Sequence, residues 1–310
     1  MSLHLLRRGR LLTPVASAAA IALGATWLAL NMTLPATGQA PVFGWRAGDP
    51  DTVVVEVSDS TLRAVTVAAG RLLDDLNIRA SRISSSRLID NFRQKTVDTS
   101  IALDEDGKPV ATITFDAITG ELWSVVNHGH TAGELSGALD PEQLPAMAKS
   151  LLHEADISAP PSSPTVSWDQ GMEAWQVFWP RTVAGCAVPA DFTAVWIYPG
   201  GQVRAISHVE TPLDPEPLTT VPSEQAQEAV RVFFSRSQVG AKAISLGAPI
   251  LEWRQPNDFV DPSFPAAPAV HARLVWSVTY SIQLSWGERA QGVFWIDAAT
   301  GSIVGGSDVS

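Results

Sequence analysis

The sequence predicts an α+β fold of three tandem units, each one helix packed on an antiparallel sheet, preceded by one N-terminal hydrophobic helix. Three observations support this prediction. A long uncharged apolar run lies near the N-terminus, an amphipathic helix followed by alternating strands recurs three times, and a turn ending in glycine closes a strand pair in each repeat. Hydrophobic residues make up 45% of the 310 residues and charged residues 17%. The chain is therefore too apolar for a disordered protein.

Charge and cysteine content exclude several classes of protein. The formal net charge is −11, from 32 acidic against 21 basic residues. A nucleic-acid-binding protein would instead show a basic stripe, so no nucleic-acid partner is expected. The single cysteine, Cys186, excludes a disulfide within the chain and a zinc site built from several cysteines.

Residues 1–40 are predicted to be a signal peptide or a signal anchor. Three arginines among the first ten residues precede residues 11–34, a run of 24 residues without a charged side chain. About 20 apolar residues span a bilayer, so this run is the expected membrane contact. The arginines place the N-terminus in the cytoplasm and the rest outside. Small residues before a cleavage point after Ala40 leave two locations open: a single-pass protein of the cell membrane or a secreted one.

The three units are predicted at residues 41–135, 136–212 and 213–310, the first being the divergent one. Each opens with an amphipathic helix whose apolar residues repeat at steps of three and four. The second helix is expected to be capped at Asp140 and the third at Ser223. Proline-dense stretches between the units are interpreted as extended linkers.

A glycine turn closes a strand pair in each unit. Residues 115–120 read FDAITG and residues 296–301 read IDAATG, so the two turns are close copies. An aspartate that opens such a turn accepts hydrogen bonds from backbone N–H groups ahead of it, and glycine supplies the position with positive φ. The second unit reads YPGG at residues 198–201, without the aspartate. The residues predicted to have a structural role in these turns are Asp116, Gly120, Gly201, Asp297 and Gly301.

A helix followed by an antiparallel sheet ending in Val/Phe-x-Ile/Phe-Asp-Ala-x-Thr-Gly-x-Ile/Leu resembles the PepSY domain and its tandem relatives. The likeness covers most of residues 52–308 and is strongest in the third unit. PepSY domains occur in propeptides of secreted metalloproteases and in membrane-anchored extracytoplasmic proteins of bacteria. The resemblance implies a binding or inhibitory role toward a protein, often a peptidase or an envelope regulator, and it transfers no catalytic residues.

Motifs that carry chemistry are scarce. The sequence has no His-Glu-x-x-His, no Gly-x-Ser-x-Gly, no phosphate-binding loop and no Gly-x-Gly-x-x-Gly. Residues 128–130 read HGH, but no third metal ligand is fixed nearby. Residues 104–107 resemble the start of a calcium loop and are interpreted as a hairpin turn, and Cys186 is interpreted as a small buried hydrophobe. We therefore predict no catalytic residue, no cofactor and no metal site, and we expect that the chain is not an enzyme.

Aromatic residues on the predicted strands allow two interpretations. Trp175, Trp179 and Trp276 alternate with polar residues, a pattern typical of a sheet face packed on a core. Together with Tyr280 they are also candidates for an exposed row that stacks on sugars or grips an extended peptide. Both interpretations stay open from the sequence.

Three functional hypotheses follow. The leading one is a noncatalytic extracytoplasmic protein of the cell envelope that binds and regulates a protein partner, such as a peptidase or a membrane sensor. The second is an envelope ligand-binding protein that uses the aromatic residues of the sheet for peptide or polysaccharide. The third is an unrecognised hydrolase.

Overall fold

The computed structural model describes residues 52–90, 95–129, 139–237, 241–257, 259, 271–284 and 287–309, and these form three helices and fourteen strands. The helices are α1 (Asp59–Asp75), α2 (Leu144–Glu154) and α3 (Ser223–Arg236). The strands are β1 (Thr52–Val55), β2 (Arg82–Asp90), β3 (Lys95–Leu103), β4 (Pro109–Asp116), β5 (Leu122–Asn127), β6 (Thr165–Asp169), β7 (Ala174–Val183), β8 (Cys186–Ile197), β9 (Val203–Val209), β10 (Ala241–Leu246), β11 (Ile250–Arg254), β12 (Arg273–Leu284), β13 (Arg289–Asp297) and β14 (Ile303–Val309).

The prediction of three units with separate sheets is wrong, because all fourteen strands belong to one mixed sheet. Its main path runs β1-β2-β3-β4-β5-β9-β8-β11-β12-β13-β14. Off this path β10 pairs with β12, β6 pairs with β7, and β7 pairs with β8. Most neighbours are antiparallel, whereas β11 and β8 run parallel at one bridge, Glu252 opposite Ala187. The predicted N-terminal hydrophobic helix lies outside the described residues.

Pairing of edge strands explains why the predicted separation fails. Strand β5, from the first repeat, lies beside β9, from the second, with Ser124–Val126 opposite Ala205–Ser207. An unpaired edge leaves backbone N–H and C=O groups without partners, and joining two edges satisfies both. The first and second repeats of the sequence are therefore joined by backbone hydrogen bonds between β5 and β9.

The described residues divide into two compact units. The first compact unit comprises described residues 52–181 and 191–210, and the second comprises residues 182–190 and 211–309. Strands β7 and β8 contribute residues to both units. The three domain boundaries inferred from the sequence stay a prediction.

The core of the first compact unit is shared by two helices. Helices α1 and α2 bury their apolar faces against strands of the same sheet, so two helices that were assigned to separate units contribute to one core. Burial of such side chains stabilises a fold by about 1.5–3 kcal/mol each. The central members of this core are Leu72, Leu73, Ile113, Val125, Leu144, Leu152, Val195 and Ile206.

The core of the second compact unit is aromatic. Helix α3 packs on β12 and β13 through Ala226, Val230 and Phe234. The ring of Phe294 lies 4.9 Å from that of Tyr280 and 5.6 Å from that of Phe234, measured between centroids. Offset and edge-to-face contacts of this kind add to the stabilisation from burial alone.

The starts of α2 and α3 differ from the predicted caps. The Asp140 carboxylate accepts a hydrogen bond from the Glu142 N–H at 3.0 Å, and α2 begins only at Leu144, without a side-chain cap. The N-cap residue of α3 is Pro222, and Ser223 is its first helical residue. Residues 141–143 form a turn before α2, and neither helix start has a side-chain cap. Among the described residues, no helix has the length and apolar character that crossing a membrane requires.

A charge pair ties β2 to β3 in the first compact unit. Arg87 lies opposite Asp98 in the strand register. The Nε and Nη2 groups of Arg87 donate to Asp98 Oδ1 and Oδ2 at 2.7 and 2.8 Å. The hydrogen bond to Asp98 raises the pKa of Arg87 above its ordinary value. This fork geometry is the strongest form of an arginine–carboxylate pair.

Replacement of Asp98 should therefore destabilise the first compact unit. Asp98→Ala removes both carboxylate acceptors of the Arg87 guanidinium and leaves the Ala117 carbonyl oxygen at 3.5 Å, at an expected cost of about 2 kcal/mol in the free energy of unfolding. The exposed carboxylate of Glu105 provides the matched control, because Glu105→Ala removes the same charge from a turn. Urea unfolding of both variants measures the difference. Equal midpoints for the two variants would contradict the role given to the pair.

Candidate functional site

The two copied turns have the same hydrogen-bonded geometry. Asp116 Oδ1 accepts bonds from the backbone N–H groups of Ile118 and Thr119 at 2.8 and 3.0 Å. Asp297 Oδ1 accepts the corresponding bonds, from the residues two and three positions ahead, at 3.0 and 2.9 Å. In both turns the glycine N–H donates to the aspartate carbonyl oxygen at 2.9 Å. Both carboxylates therefore act as acceptors that shape a turn.

The three turn glycines have left-handed backbone conformations. The φ angles are +75° at Gly120, +90° at Gly201 and +72° at Gly301. In the second turn the Gly201 N–H donates to the Tyr198 carbonyl oxygen at 2.8 Å, so the turn closes without an aspartate. Side chains with a β-carbon are strained at such φ angles, which accounts for glycine at all three positions.

A β-bulge follows each turn at the same distance from its glycine. The register shifts at Trp123 between β4 and β5, at Arg204 between β8 and β9, and at Val304 between β13 and β14. Each of these residues lies three positions after its turn glycine. A bulge inserts one unpaired residue and bends the strand. The three hairpins therefore share the glycine of positive φ and the bulge, whereas the second turn is one residue shorter than the other two and the residue at the bulge differs in each.

The four predicted aromatic candidates do not form an exposed row. Trp179 is buried in the first compact unit and Trp175 is half-buried there, whereas Trp276 and Tyr280 belong to the second unit. Trp276 is half-buried and donates its indole N–H to a backbone carbonyl at 2.9 Å. Tyr280 is buried and donates its hydroxyl to Asp308 at 2.9 Å. Burial and this carboxylate raise the pKa of Tyr280 well above its ordinary value.

Sequence reasoning missed the most exposed tryptophan of the first compact unit. Trp168 lies on β6 opposite Trp175 on β7 and keeps 37% of its surface exposed. The two rings make an edge-to-face contact, with centroids 5.5 Å apart and planes at 79°. The alternation of hydroxyl and apolar residues in TVSW, at residues 165–168, is the signal that could have identified this strand.

Strand β6 has an open edge. Within the described residues it pairs only with β7. Its C-terminal end is held by Asp169, whose Oδ1 accepts the N–H groups of Gly171 and Met172 at 2.9 and 3.1 Å and whose Oδ2 accepts the Trp196 indole N–H at 2.9 Å. The strand that carries the open edge is therefore held in place at its C-terminal end.

The edge of β14 is closed by a side chain. The Asn257 N–H donates to the Val304 carbonyl oxygen at 3.2 Å. The Asn257 amide also donates to the Gly306 carbonyl oxygen at 2.9 Å and accepts the Gly306 N–H at 3.1 Å. A β-carbon at Gly306 would collide with the Val293 carbonyl oxygen, which explains glycine here. Asn257 thus makes the hydrogen bonds that an added strand would make at Val304 and Gly306.

The buried carboxylates of the described residues have structural partners. Asp191 binds Arg181 at 2.6 Å, and Glu252 binds the Arg254 Nε at 2.7 Å. The Arg254 guanidinium also lies over the Trp295 ring, at 5.5 Å from its centroid. In the part of the chain that the structure describes, the buried carboxylates are Asp98, Asp169, Asp191, Glu252 and Asp297.

Burial favours the neutral forms of His128, His208 and Cys186. His128 bonds to the Thr112 hydroxyl at 3.1 Å and His208 to the Thr193 hydroxyl at 2.9 Å. Desolvation lowers the pKa of both imidazoles. Cys186 is half-buried, more open than predicted, and burial raises the pKa of its thiol. A protonated thiol is a weak nucleophile.

The two metal-like stretches carry no assembled site in the part of the chain that the structure describes. No three His, Cys, Asp or Glu residues there converge on a metal position, and His130 lies outside this part. The Asp104 carboxylate instead accepts the Lys108 N–H at 2.8 Å in the connection between β3 and β4. Gly107 in that connection has a φ of +80°. These contacts confirm that residues 104–107 form a hairpin turn.

Comparison with known protein families finds no match, and comparison with curated proteins finds none. Among solved structures, the chain is similar to the C-terminal domain of YpeB from Bacillus megaterium, with a TM-score of 0.38 and 13% sequence identity. The alignment covers 82% of this chain and 99% of that one. A TM-score of this size does not establish a shared fold.

Substitutions in the third turn should lower stability. Asp297→Ala removes the acceptor of two backbone N–H groups and should cost about 1 kcal/mol. Gly301→Val places a branched side chain at a φ of +72° and should cost about 1–3 kcal/mol. The exposed Asp106 provides the control substitution, Asp106→Ala. Thermal unfolding measures all three variants, and an unchanged melting temperature for Asp297→Ala would contradict its structural role.

Proposed function

We propose that the chain is a noncatalytic extracytoplasmic protein of the cell envelope that binds and regulates a protein partner, such as a peptidase or a membrane sensor. The observation that carries this proposal is the threefold hairpin, with a glycine of positive φ and a bulge three residues later in each copy. This hairpin is the element on which the resemblance to PepSY domains rests. The family resemblance implies protein binding, and the hairpin geometry is consistent with a duplicated scaffold.

The turn aspartates support the noncatalytic part of the proposal. Asp116 and Asp297 occupy the same step of two copied turns, and each accepts two backbone N–H groups through one oxygen. A catalytic pair has no need to copy the hairpin that carries it, whereas a duplicated domain copies its turn as a whole. The repeated carboxylate therefore favours a scaffold.

The cellular location is supported by the N-terminal sequence. The arginines before residues 11–34 favour an N-terminus inside and the remainder outside the cytoplasm. The partner would then be an envelope protein or an exposed part of a membrane protein. A net charge of −11 favours partners with a neutral or basic contact surface.

The exposed ring of Trp168 favours a second candidate function, binding of a polysaccharide. Aromatic rings offer apolar faces to sugars, and Trp168 is 37% exposed beside Trp175. The edge-to-face arrangement of the two rings offers one such face, not a flat platform of two. Binding of a polypeptide partner is therefore better supported than binding of a polysaccharide.

Crosslinking in intact cells tests the proposal. The full chain with a C-terminal affinity tag is treated with a membrane-impermeant crosslinker and purified under denaturing conditions. We expect an adduct that protease removes and glycosidases leave intact. A chain lacking residues 1–34 provides the control, because it stays in the cytoplasm and should give no adduct. An adduct that only glycosidases remove would support the second candidate, and the absence of any polypeptide adduct would contradict the proposed function.

A further inference from the structure

We propose that the outer edge of β6 accepts an extended segment of the partner polypeptide as an additional strand, and that Trp168 contacts one of its apolar side chains. This proposal rests on the proposed function, because it requires a polypeptide partner. Beyond that function, the proposal specifies the binding surface, the backbone conformation of the bound segment and the pattern of its side chains.

The backbone of β6 favours an extended peptide as its ligand. One edge of the strand bonds to β7, and the other edge presents N–H and C=O groups that no strand among the described residues pairs. Another strand matches the spacing of these groups, and strand addition is an established mode of peptide recognition. Five residues of β6 span about 17 Å, enough for a segment of about five residues.

Strand β6 lacks the features that normally protect an edge. Natural edges are shielded by lysine, proline, bulges or a covering loop. Residues 165–168 carry no charge, no proline and no bulge, and the one charged residue of β6, Asp169, is buried and bound to the Trp196 indole N–H. In contrast, β14 is covered by Asn257, and β1, which also pairs with one strand only among the described residues, contains no aromatic residue. An open strand edge beside an exposed tryptophan therefore favours a role of β6 in binding.

The two faces of β6 define the side-chain pattern of the bound segment. Val166 and Trp168 lie on one face, beside Val177 and Trp175 of β7. Val166 packs partly on the core of this unit, and Trp168 is exposed. The other face of β6 carries hydroxyl residues, one of which is Ser167. A bound strand would therefore place apolar side chains at every second position beside Val166 and Trp168, and polar side chains between them.

The site is rigid before it binds. Asp169 fixes the end of β6 through three hydrogen bonds, and the Trp168 ring is held against Trp175. Ordering of a flexible loop or side chain opposes association, so a fixed strand and a held ring favour it. Tryptophan is also the residue type most enriched among side chains that dominate binding energy.

A defined peptide tests the proposal. The probe is a fluorescent octapeptide in which valine and threonine alternate between terminal lysines, and its binding to the full chain is followed by anisotropy. We expect Trp168→Lys to weaken binding by about tenfold or more. The matched control is Ile118→Lys, because Ile118 is 88% exposed in a turn of the same unit and gains the same charge. This control should bind like the parent.

Two further peptides separate strand addition from nonspecific attraction. A peptide with proline at its centre cannot complete the ladder and should bind about tenfold more weakly. A peptide with terminal glutamates should bind more weakly than the lysine peptide, and the difference should shrink as salt rises. Trp168→Phe keeps an aromatic ring and should restore most of the binding lost in Trp168→Lys, and thermal unfolding of Trp168→Lys at the temperature of the parent excludes misfolding as the cause.

The outcomes distinguish the failure of this proposal from the failure of the proposed function. If the parent and Trp168→Lys crosslink to the same partner equally well in cells, the β6 edge is not the site while the function stands. Equal binding of the proline peptide, equal affinities of Trp168→Lys and Ile118→Lys, or no peptide binding by the parent would also overturn the proposal. A dimer of the parent that Trp168→Lys abolishes would identify a second copy of the chain as the occupant and would likewise overturn it.

Discussion

The architecture depends on the need of every strand to find partners for its backbone N–H and C=O groups. This constraint joins β5 to β9 and thereby merges two repeats into one sheet. It also explains why Asn257 lies against β14, where its side-chain amide makes hydrogen bonds with Gly306 that a neighbouring strand would otherwise make. Among the described residues, β1, β6 and β10 each pair with one strand only, and the proposed binding surface is the edge of these three that lies beside an exposed tryptophan.

The repeated hairpin supplies the local geometry on which this sheet is built. A glycine with positive φ closes each turn, and a bulge follows three residues later, where it bends the returning strand. The aspartate is present in two copies and absent in the second, whose turn is one residue shorter and is closed by the bond from the Gly201 N–H to the Tyr198 carbonyl oxygen. The glycine and the bulge are therefore common to all three hairpins, and the aspartate is not.

Local features could be predicted from the sequence, and nonlocal ones could not. The helical stripes and the turns at Gly120 and Gly301 follow from residue spacing, because each is set by a few neighbouring residues. The pairing of β5 with β9 depends on residues about 80 positions apart, and no short pattern encodes it. Trp168 was missed for the same reason, since its exposure depends on which strand ends the sheet, and Trp179 resembles it in sequence but is buried.

Amide hydrogen exchange tests the central claim most directly, namely that β6 has an open edge and β14 a closed one. The account predicts slow exchange at Gly306, whose N–H is bound by Asn257. Along β6 the amides should alternate, with those that face β7 slow and those that face outward close to the rate of an unstructured peptide. The octapeptide should then slow the fast amides selectively. Uniform protection along β6 without any peptide, or fast exchange at Gly306, would contradict the account.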